Sequence, residues 1–256
     1  MSISDLQNLI DLSREKIARE LNVNASIFGS RTSFNRAPST FGSASELARR
    51  IDHTLLKPDA TSGDIEKLCD EALEFRFAGV CVNPIYVERI SKRLSGTDVK
   101  AITVVGFPLG ATTTAAKVFE TEEAVGRGAQ EIDMVMNIGA FKSKHYLPAY
   151  DDISAVVEAA RGNRVKVILE TALLTTEDKV EAAFILQAAG AAFAKTSTGF
   201  GPGVAAVEDV QLLRRVLSDR VQIKASGGIR TREQALALLQ AGASRIGTRS
   251  GVTMVR

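Results

Sequence analysis

Short apolar runs recur along the chain and are separated by longer segments of mixed polarity. The runs predict eight strands, near residues 51–56, 79–83, 101–107, 131–137, 164–170, 191–197, 221–226 and 245–249. The segments between them predict helices near 62–77, 85–95, 113–128, 147–161, 176–189, 205–218 and 231–241. Strict alternation of strands and helices is typical of parallel strands joined by helical crossovers.

Four successive runs each contain a charged residue among apolar neighbours. These residues are Asp133, Lys166, Lys195 and Lys224, and the intervals between them are 33, 29 and 29 residues. Each interval accommodates one strand, one helix and two loops, so four consecutive parallel strands aim one charge each at a common interior. Buried lysines are costly without partners, and such a cluster therefore indicates a functional site.

The repeat of these charges bears on the fold class. A closed barrel brings four successive strands around one interior, whereas an open doubly wound sheet, the structural alternative, spreads them apart. Eight strand–helix units also suit the roughly 250 residues typical of the closed fold. We therefore predict an α/β protein with a (β/α)8 TIM barrel over residues 46–256.

Both ends of the chain depart from the repeat. Residues 3–21 have apolar positions at helical spacing among charges, which predicts an amphipathic helix, and residues 22–45 are rich in Ser, Asn and Gly. We predict that residues 1–45 form a helix and a linker or loosely packed arm outside the barrel. The sequence stops at Arg256, so we predict a truncated carboxyl-terminal end with no eighth helix.

Composition excludes several classes of function. The 256 residues are 45% hydrophobic and 24% charged, which is ordinary for a soluble globular protein. The 32 basic and 30 acidic residues give a net charge of +2, which argues against nucleic-acid or membrane-surface partners. Any phosphate site must therefore be local.

Cysteine and histidine usage argues against a disulfide framework and a zinc centre. Cys69 and Cys81 lie in a predicted helix and strand, and we interpret them as reduced core thiols. Neither His53 nor His145 lies near the cysteines in a metal-ligand spacing, so we predict no metal, and His53 is interpreted as a structural hydrogen-bonding residue. The sequence shows no secretory signal or membrane-length apolar run, and we expect a cytoplasmic protein.

The charged cluster suggests a nucleophilic lysine. Two neighbouring ammonium groups repel, and limited solvation also disfavours the charged form, so one lysine should have a lowered pKa. We assign Lys195 as this nucleophile because a glycine-containing turn follows its strand, with Lys224 as the cationic neighbour and Asp133 as the proton-transfer group. A neutral amine attacks a carbonyl and forms an iminium.

Glycine turns after the predicted strands seven and eight indicate a phosphate site, because their backbone amides can hold an anion. The turn after strand six offers hydroxyls and flexible backbone to a substrate. The candidate phosphate- and substrate-binding residues are Thr198, Gly199, Gly227, Gly228, Gly247, Thr248, Arg249 and Ser250. Structural interpretations stay open at this point. Asp133 can simply neutralise Lys166 or Lys224 in a core ion pair, and the glycines can serve only as tight turns.

At these residues the sequence strongly resembles deoxyribose-phosphate aldolase, a class I aldolase family, over about residues 47–253. The most specific motifs are Phe193-Ala194-Lys195-Thr196-Ser197-Thr198-Gly199, Lys224-Ala225-Ser226-Gly227-Gly228-Ile229-Arg230-Thr231 and Glu131-Ile132-Asp133-Met134-Val135. Supporting motifs are Ile51-Asp52-His53-Thr54-Leu55-Leu56-Lys57-Pro58, Val80-Cys81-Val82-Asn83-Pro84 and Val105-Gly106-Phe107-Pro108-Leu109-Gly110.

The resemblance implies reversible cleavage of 2-deoxy-D-ribose 5-phosphate to D-glyceraldehyde 3-phosphate and acetaldehyde. Lys195 would form the Schiff base, Lys224 would lower its pKa and assist proton transfer, and Asp133 would be the acid–base group. Lys166 and Asp52 would complete a polar relay. The family needs no metal or organic cofactor, and it often forms dimers or tetramers, for which the amino-terminal arm is a candidate contact.

The sequence also departs from the family pattern. Arg249 stands where a small hydroxyl residue is usual, and no terminal tyrosine follows the last strand, because the only tyrosines are Tyr86, Tyr146 and Tyr150. We expect an intact Schiff-base site with slowed proton transfer. The alternatives are another lysine-dependent barrel aldolase or transaldolase with a different phosphosugar, and a non-catalytic phosphosugar-binding barrel. Asp133 argues against the last, since anion binding gains nothing from a carboxylate.

Overall fold

Eight parallel strands close into a barrel. The structure is a computed structural model that describes residues 2–29 and 43–256. Each strand pairs with the next in sequence and the eighth pairs with the first, which confirms the predicted TIM barrel and excludes the open sheet. The strands are β1 (Ile51–Leu55), β2 (Gly79–Val82), β3 (Lys100–Val105), β4 (Glu131–Val135), β5 (Arg164–Ile168), β6 (Phe193–Lys195), β7 (Gln222–Ser226) and β8 (Arg245–Thr248).

Helices surround the barrel in the predicted alternation. They are α1 (Ile3–Glu20), α2 (Ala44–Ala48), α3 (Ser62–Phe75), α4 (Val87–Leu94), α5 (Thr114–Gly126), α6 (Ile138–Lys142), α7 (Tyr146–Ala159), α8 (Thr176–Ala188), α9 (Val207–Val216), α10 (Arg232–Gln240) and α11 (Gly251–Val255). Single 3₁₀ turns occupy Ala25–Phe28, Pro84–Tyr86 and Thr171–Leu173. The short helices α2 and α6 are not among the predicted elements.

Local sequence explains where several of these helices begin. Thr61 precedes α3 and accepts a hydrogen bond from the Asp64 amide, while the Asp64 carboxylate accepts from the Thr61 amide. Thr175 and Asp178 make the same reciprocal pair before α8. These capping boxes satisfy amides that have no partner within the helix, so each helix starts directly after its loop.

The amino-terminal helix packs on the outside of the barrel. Lys16 of α1 donates a 2.6 Å hydrogen bond to the buried carboxylate of Glu181 on α8. Beyond α1, the buried ring of Phe28 lies 4.9 Å from that of Phe184, measured between centroids. Phe28, within the arm predicted for residues 22–45, is therefore packed against α8, whereas Asn24 and Ile27 are exposed. Residues 30–42 of that predicted arm lie outside the described residues.

The chain after β8 also differs from the prediction. We expected no helix there, yet Gly251–Val255 forms the short helix α11. Met254 and Val255 are buried, and the helix contacts α2 and α3. Burial of these two apolar side chains explains why so short a segment is helical although it is too short to be stable alone.

Two smaller predictions concern the thiols and the membrane. Both cysteines are buried and unpaired, as predicted. Across residues 2–29 and 43–256, none of the helices has the length and apolarity needed to cross a membrane.

The buried carboxylate of Glu181 generates a stability prediction. Glu181 accepts hydrogen bonds from Lys16, Lys144 and Tyr146, and its side chain has no exposed surface. Replacing Glu181 with Ala leaves the buried Tyr146 hydroxyl without this acceptor, and we expect a loss of about 2–3 kcal/mol in the free energy of unfolding. Urea denaturation measures it. Glu177→Ala is the control on the same helix, because its half-exposed carboxylate lies 3.8 Å from Lys16. Equal losses in both variants would contradict a specific role for Glu181.

Candidate active site

A network of seven charged side chains fills the barrel interior. Each comes from a strand, and every strand except β2 and β3 supplies at least one member. The lysines of β6 and β7 are neighbours in register. The members are Asp52, Glu131, Asp133, Lys166, Lys195, Lys224 and Arg245. The structure thus brings together the five residues that the sequence analysis proposed for catalysis and relay, and it adds Glu131 and Arg245.

Asp133 is the centre of this network. Its Oδ2 accepts hydrogen bonds from Lys195 Nζ at 2.8 Å and from Lys224 Nζ at 2.7 Å. Its Oδ1 accepts from Lys166 Nζ at 2.7 Å. One carboxylate therefore links three lysines from three successive strands, β5 to β7.

A second group of carboxylates lies on the other side of the lysines. Asp52 Oδ2 is 2.5 Å from Lys224 Nζ, and its Oδ1 accepts from Arg245 Nη1 at 2.6 Å. Glu131 bridges Lys166, at 2.6 Å, and Arg245, at 3.1 Å. Lys224 therefore contacts two carboxylates, whereas Lys195 contacts only Asp133.

The charge balance of the network singles out Lys195. Four cations face three carboxylates, so the fully ionised network carries one surplus positive charge in a buried environment. Burial lowers the pKa of Lys195 below the usual lysine value, and the positive charge of Lys224 lowers it further, against the opposing pull of Asp133. Loss of the Lys195 proton makes the network neutral, which a buried site favours.

The partners of Lys195 remain charged. Burial works to lower the pKa of Lys224, but Asp133 and Asp52 outweigh it and raise that pKa above the usual value. Burial works to raise the pKa of Asp133, but the three lysines outweigh it and hold that pKa well below the usual value. The site thus combines a lysine whose pKa is lowered, an ammonium ion and a carboxylate within hydrogen-bonding distance, and these are the groups that amine attack on a carbonyl requires.

A cavity of about 320 Å³ opens directly onto the lysines. Lys195 and Lys224 form part of its floor, and the turns after β6, β7 and β8 form its walls. The cavity lies at the carboxyl ends of the strands, where barrel enzymes build their sites, and its volume is in the range of pockets for small molecules. Asp133, Lys166 and Asp52 lie outside the cavity lining and act on it through the two lysines.

The predicted phosphate residues divide into two groups. Six of the eight line the cavity, namely Thr198, Gly199, Gly227, Gly247, Thr248 and Arg249, whereas Gly228 and Ser250 do not. Two of the hydroxyls in the lining are already engaged. Thr198 Oγ1 donates to Glu170 at 2.5 Å, and Thr248 Oγ1 donates to the Ile229 carbonyl at 2.7 Å. Arg249 is exposed at the cavity. Among the described residues, no carboxylate lies within ion-pairing distance of it.

Two of the glycines have structural reasons of their own. Gly247 has no room for a side chain, because an added Cβ would lie 2.9 Å from Lys224 Cε and from Ser226 Cβ. Gly228 adopts a left-handed backbone with φ +72°, and an added Cβ would lie 2.4 Å from Val204 Cγ1. Gly247 therefore secures space for the Lys224 side chain, in addition to lining the cavity at the turn predicted for phosphate.

Glu170 is a further residue that the sequence analysis missed. It lies two residues after the end of β5, is buried, and has a left-handed backbone with φ 53°. Its Oε2 accepts from the Thr198 hydroxyl and from the Thr198 amide, the latter at 3.2 Å. Glu170 therefore fixes the start of the turn that follows Lys195.

The remaining missed residues contact the cavity or complete the network. Thr54, Leu56, Lys57, Phe200 and Ser226 add to the cavity lining. Glu131 has a sequence signal, because it lies two residues before Asp133 and the two side chains therefore share a face of β4. His53 Nε2 donates a 2.7 Å hydrogen bond to the Glu71 carboxylate, and His53 is not part of the cavity lining. In the part of the chain that the structure describes, no group of three His, Cys, Asp or Glu residues could hold a metal.

Comparison with known proteins places this site in a family. Residues 47–256 match the model of the DeoC/LacD family of aldolases. This chain belongs to the DeoC/LacD aldolase family. The deoxyribose-phosphate aldolase of Staphylococcus epidermidis is 53% identical over 209 residues, which are 82% of this chain and 95% of that protein. That of Streptococcus sanguinis is 54% identical over 211 residues, 82% of this chain and 96% of that protein.

A solved structure of the DeoC/LacD type agrees with the fold. The tetrameric deoxyribose phosphate aldolase of Aeropyrum pernix superimposes with a TM-score of 0.78 at 30% identity, covering 100% of this chain and 97% of that one. The family match includes every member of the charged network and the whole cavity lining, whereas α1 precedes it. This aldolase therefore carries its complete charged network within the part of the chain shared with the family.

The charge balance predicts how Lys224 controls Lys195. Lys224→Leu removes the neighbouring positive charge and frees Asp133 to stabilise a charged Lys195, and both effects raise the pKa of Lys195. We expect the midpoint of its neutralisation to move up by about one pH unit or more. Competitive labelling with acetic anhydride, read by peptide mass spectrometry across pH, follows the neutral amine of this one lysine. Lys57→Leu removes an exposed cation at the cavity and should leave the midpoint in place. An unchanged midpoint in Lys224→Leu would contradict the assigned coupling.

Proposed function

We propose that this chain is a deoxyribose-phosphate aldolase that cleaves 2-deoxy-D-ribose 5-phosphate reversibly to D-glyceraldehyde 3-phosphate and acetaldehyde. The observation that carries the proposal is the shared contact of Asp133 Oδ2 with Lys195 and Lys224, at 2.8 and 2.7 Å, beneath the cavity. Family membership and relatives more than half identical, both named deoxyribose-phosphate aldolase, support the substrate.

The first stage is the formation of an iminium on Lys195. The neutral Nζ attacks the C1 aldehyde, a carbon–nitrogen bond forms, and the carbonyl oxygen takes up a proton. Lys224, which stays an ammonium ion, donates a hydrogen bond to that oxygen, and Asp133 accepts the proton that the nitrogen loses and passes it to the oxygen. A second proton, taken up from solvent, lets the carbinolamine hydroxyl leave as water, and the iminium remains next to the ionised Asp133 carboxylate, which stabilises its positive charge.

The second stage breaks the bond between C2 and C3. The C3 hydroxyl loses its proton through the Asp133–Lys224 pair, directly or through one water, and becomes the aldehyde of glyceraldehyde 3-phosphate. The electrons of the broken bond move to the iminium and form an enamine. Protonation at C2 and addition of water then release acetaldehyde and return Lys195 to its neutral form. Lys166 and Asp52 act as positioning residues, because they hold Asp133 and Lys224 in place.

The phosphate end of the substrate is assigned to the turns after β7 and β8. Arg249 lines the cavity there, together with Gly227 of the preceding turn. Lys57 adds a second exposed cation to the same lining. A guanidinium can make two parallel hydrogen bonds to a phosphate, so Arg249 supports phosphate binding in place of the smaller hydroxyl residue usual in the family.

Two alternatives remain testable. An aldolase or transaldolase for a different phosphosugar would share the Schiff-base lysine but differ in the cavity walls. A binding barrel without catalysis would have no use for Asp133, whose carboxylate repels anions. The central position of Asp133 between the three lysines therefore favours an enzyme.

We further infer a homo-oligomeric cytoplasmic enzyme. The tetrameric relative from Aeropyrum pernix covers the whole of this chain, including the packed α1. Two unpaired buried thiols suit a reducing compartment. The proposed reaction has only small-molecule partners, a phosphosugar and acetaldehyde, and uses no cofactor.

Reductive trapping tests the nucleophile. Borohydride added with acetaldehyde should leave an ethyl group on Lys195, because the iminium forms there and is reduced. Peptide mass spectrometry identifies the labelled lysine. Lys195→Met should abolish the adduct, whereas Lys57→Met, which removes another lysine from the cavity lining, should retain it. An adduct on Lys224 instead would overturn the assignment, and the absence of an adduct on any lysine would refute both aldolase proposals.

Substrate pairs test the phosphate site. Arg249→Met should lower kcat/KM for 2-deoxyribose 5-phosphate by about tenfold or more, because a charge-assisted hydrogen bond of about 1.5–3 kcal/mol is lost. For unphosphorylated 2-deoxyribose, kcat/KM should change little. Steady-state assays of acetaldehyde release with both sugars measure the ratio. Equal losses with both sugars would show that Arg249 has a structural role only.

A further inference from the structure

A second and larger cavity lies at the opposite end of the barrel. It has a volume of about 820 Å³ and is formed by residues at or just before the first residues of β1, β2, β3, β4, β5 and β8. This amino-terminal cavity is defined by its charged lining residues, which are Arg49, Arg76, Asp98, Lys100, Glu131, Arg164 and Arg245. The active-site cavity has none of these residues in its lining.

The amino-terminal cavity concentrates positive charge. Its lining holds five cations and two carboxylates, a local balance of +3 in a chain whose net charge is only +2. Within residues 2–29 and 43–256, the cations Arg49, Arg76 and Lys100 have no carboxylate within 4.0 Å. A concave surface lined by charges of one sign focuses its potential and attracts the opposite charge.

Two of the arginines lie beside an aromatic ring. The guanidinium carbons of Arg164 and Arg245 lie 4.5 and 5.5 Å from the centroid of the buried Phe193 ring. Arg164 has one hydrogen bond to a side chain, from Nη2 to the Gln222 amide oxygen at 3.1 Å. These contacts restrain the Arg164 guanidinium, and its remaining N–H groups can donate to phosphate oxygens.

Arg76 also has an unusual backbone. It follows α3 with φ 54° and ψ 52°, the left-handed conformation that usually selects glycine at the end of a helix. The left-handed backbone does not favour arginine at this position, which lies at the rim of a cationic cavity. Its place among four other cations is consistent with a role in binding.

We propose that the amino-terminal cavity binds a small multivalent phosphate anion, with Arg49, Arg76 and Arg164 as its principal donors. The alternative is that the charges at this end of a barrel contribute only to the stability of the fold. Stability explains Arg245, which pairs with Asp52 and Glu131. It does not explain three further arginines that have no carboxylate partner among the described residues, because clustered like charges repel unless an anion joins them.

Isothermal titration with pyrophosphate tests the proposal without any aldolase assay. The Arg249→Glu variant provides the background, because it removes the cation of the active-site turn. We expect this variant to bind one pyrophosphate at low ionic strength, with an affinity that falls as salt increases. Adding Arg49→Glu and Arg76→Glu should weaken binding at least tenfold, and circular dichroism should show unchanged folding.

A matched pair of variants distinguishes binding at this cavity from a general effect of net charge on anion affinity. Arg19→Glu with Lys67→Glu makes the same change in net charge on exposed helix surfaces away from the cavity and should alter the affinity less than threefold. Arg49→Gln with Arg76→Gln, a milder pair, should give an intermediate loss. No binding in the Arg249→Glu background, or equal losses in the two double-glutamate variants, would overturn the proposal. Because binding is measured directly, either result is independent of whether the chain cleaves deoxyribose phosphate.

Discussion

The structure depends on the burial of Asp133 between three lysines. Each lysine would be costly alone in the barrel interior, and so would the carboxylate, but hydrogen bonds of 2.7–2.8 Å to both carboxylate oxygens satisfy them together. Removing one partner from such a buried group commonly costs about 3–5 kcal/mol, because an uncompensated charge remains. The same contacts that allow these strands to close therefore also define the site, so stability and chemistry depend on one residue.

Unequal contacts divide the roles of the two lysines in the cavity floor. Lys195 and Lys224 are neighbours in register, and both reach Asp133 Oδ2. Only Lys224 also reaches Asp52, whose charge keeps it an ammonium ion, while the surplus positive charge of the network is relieved most readily at Lys195. The proposed nucleophile, Lys195, therefore differs from Lys224 by one carboxylate contact.

The sequence predicts the site as far as its residues follow the repeat of the barrel. Lys166, Lys195, Lys224 and Asp133 interrupt apolar strands at near-constant intervals, so their meeting could be expected. Arg245 begins its strand, where a charge looks like an ordinary flanking residue. Glu131 also begins its strand, and only its two-residue spacing from Asp133 points to the barrel interior. The hydroxyls of Thr198 and Thr248 look available in sequence, but their partners, Glu170 and Ile229, are distant in the chain. Helix α11 depends on tertiary burial that no local pattern shows.

Arg245 connects the two ends of the barrel. Its guanidinium lines the amino-terminal cavity, and through Asp52 it reaches Lys224 in the floor of the other cavity. Barrels usually separate a stabilising end from a catalytic end. Here the separation is incomplete, because Asp52 and Glu131 pair both with Arg245 at one end and with lysines of the barrel interior. The buried charges of the two ends therefore form one network. Any charge added near Arg245 changes the electrostatic field at Asp52, and that carboxylate is what distinguishes Lys224 from Lys195. The protonation of the two lysines at the active-site end is thus electrostatically linked to the charges at the amino-terminal end.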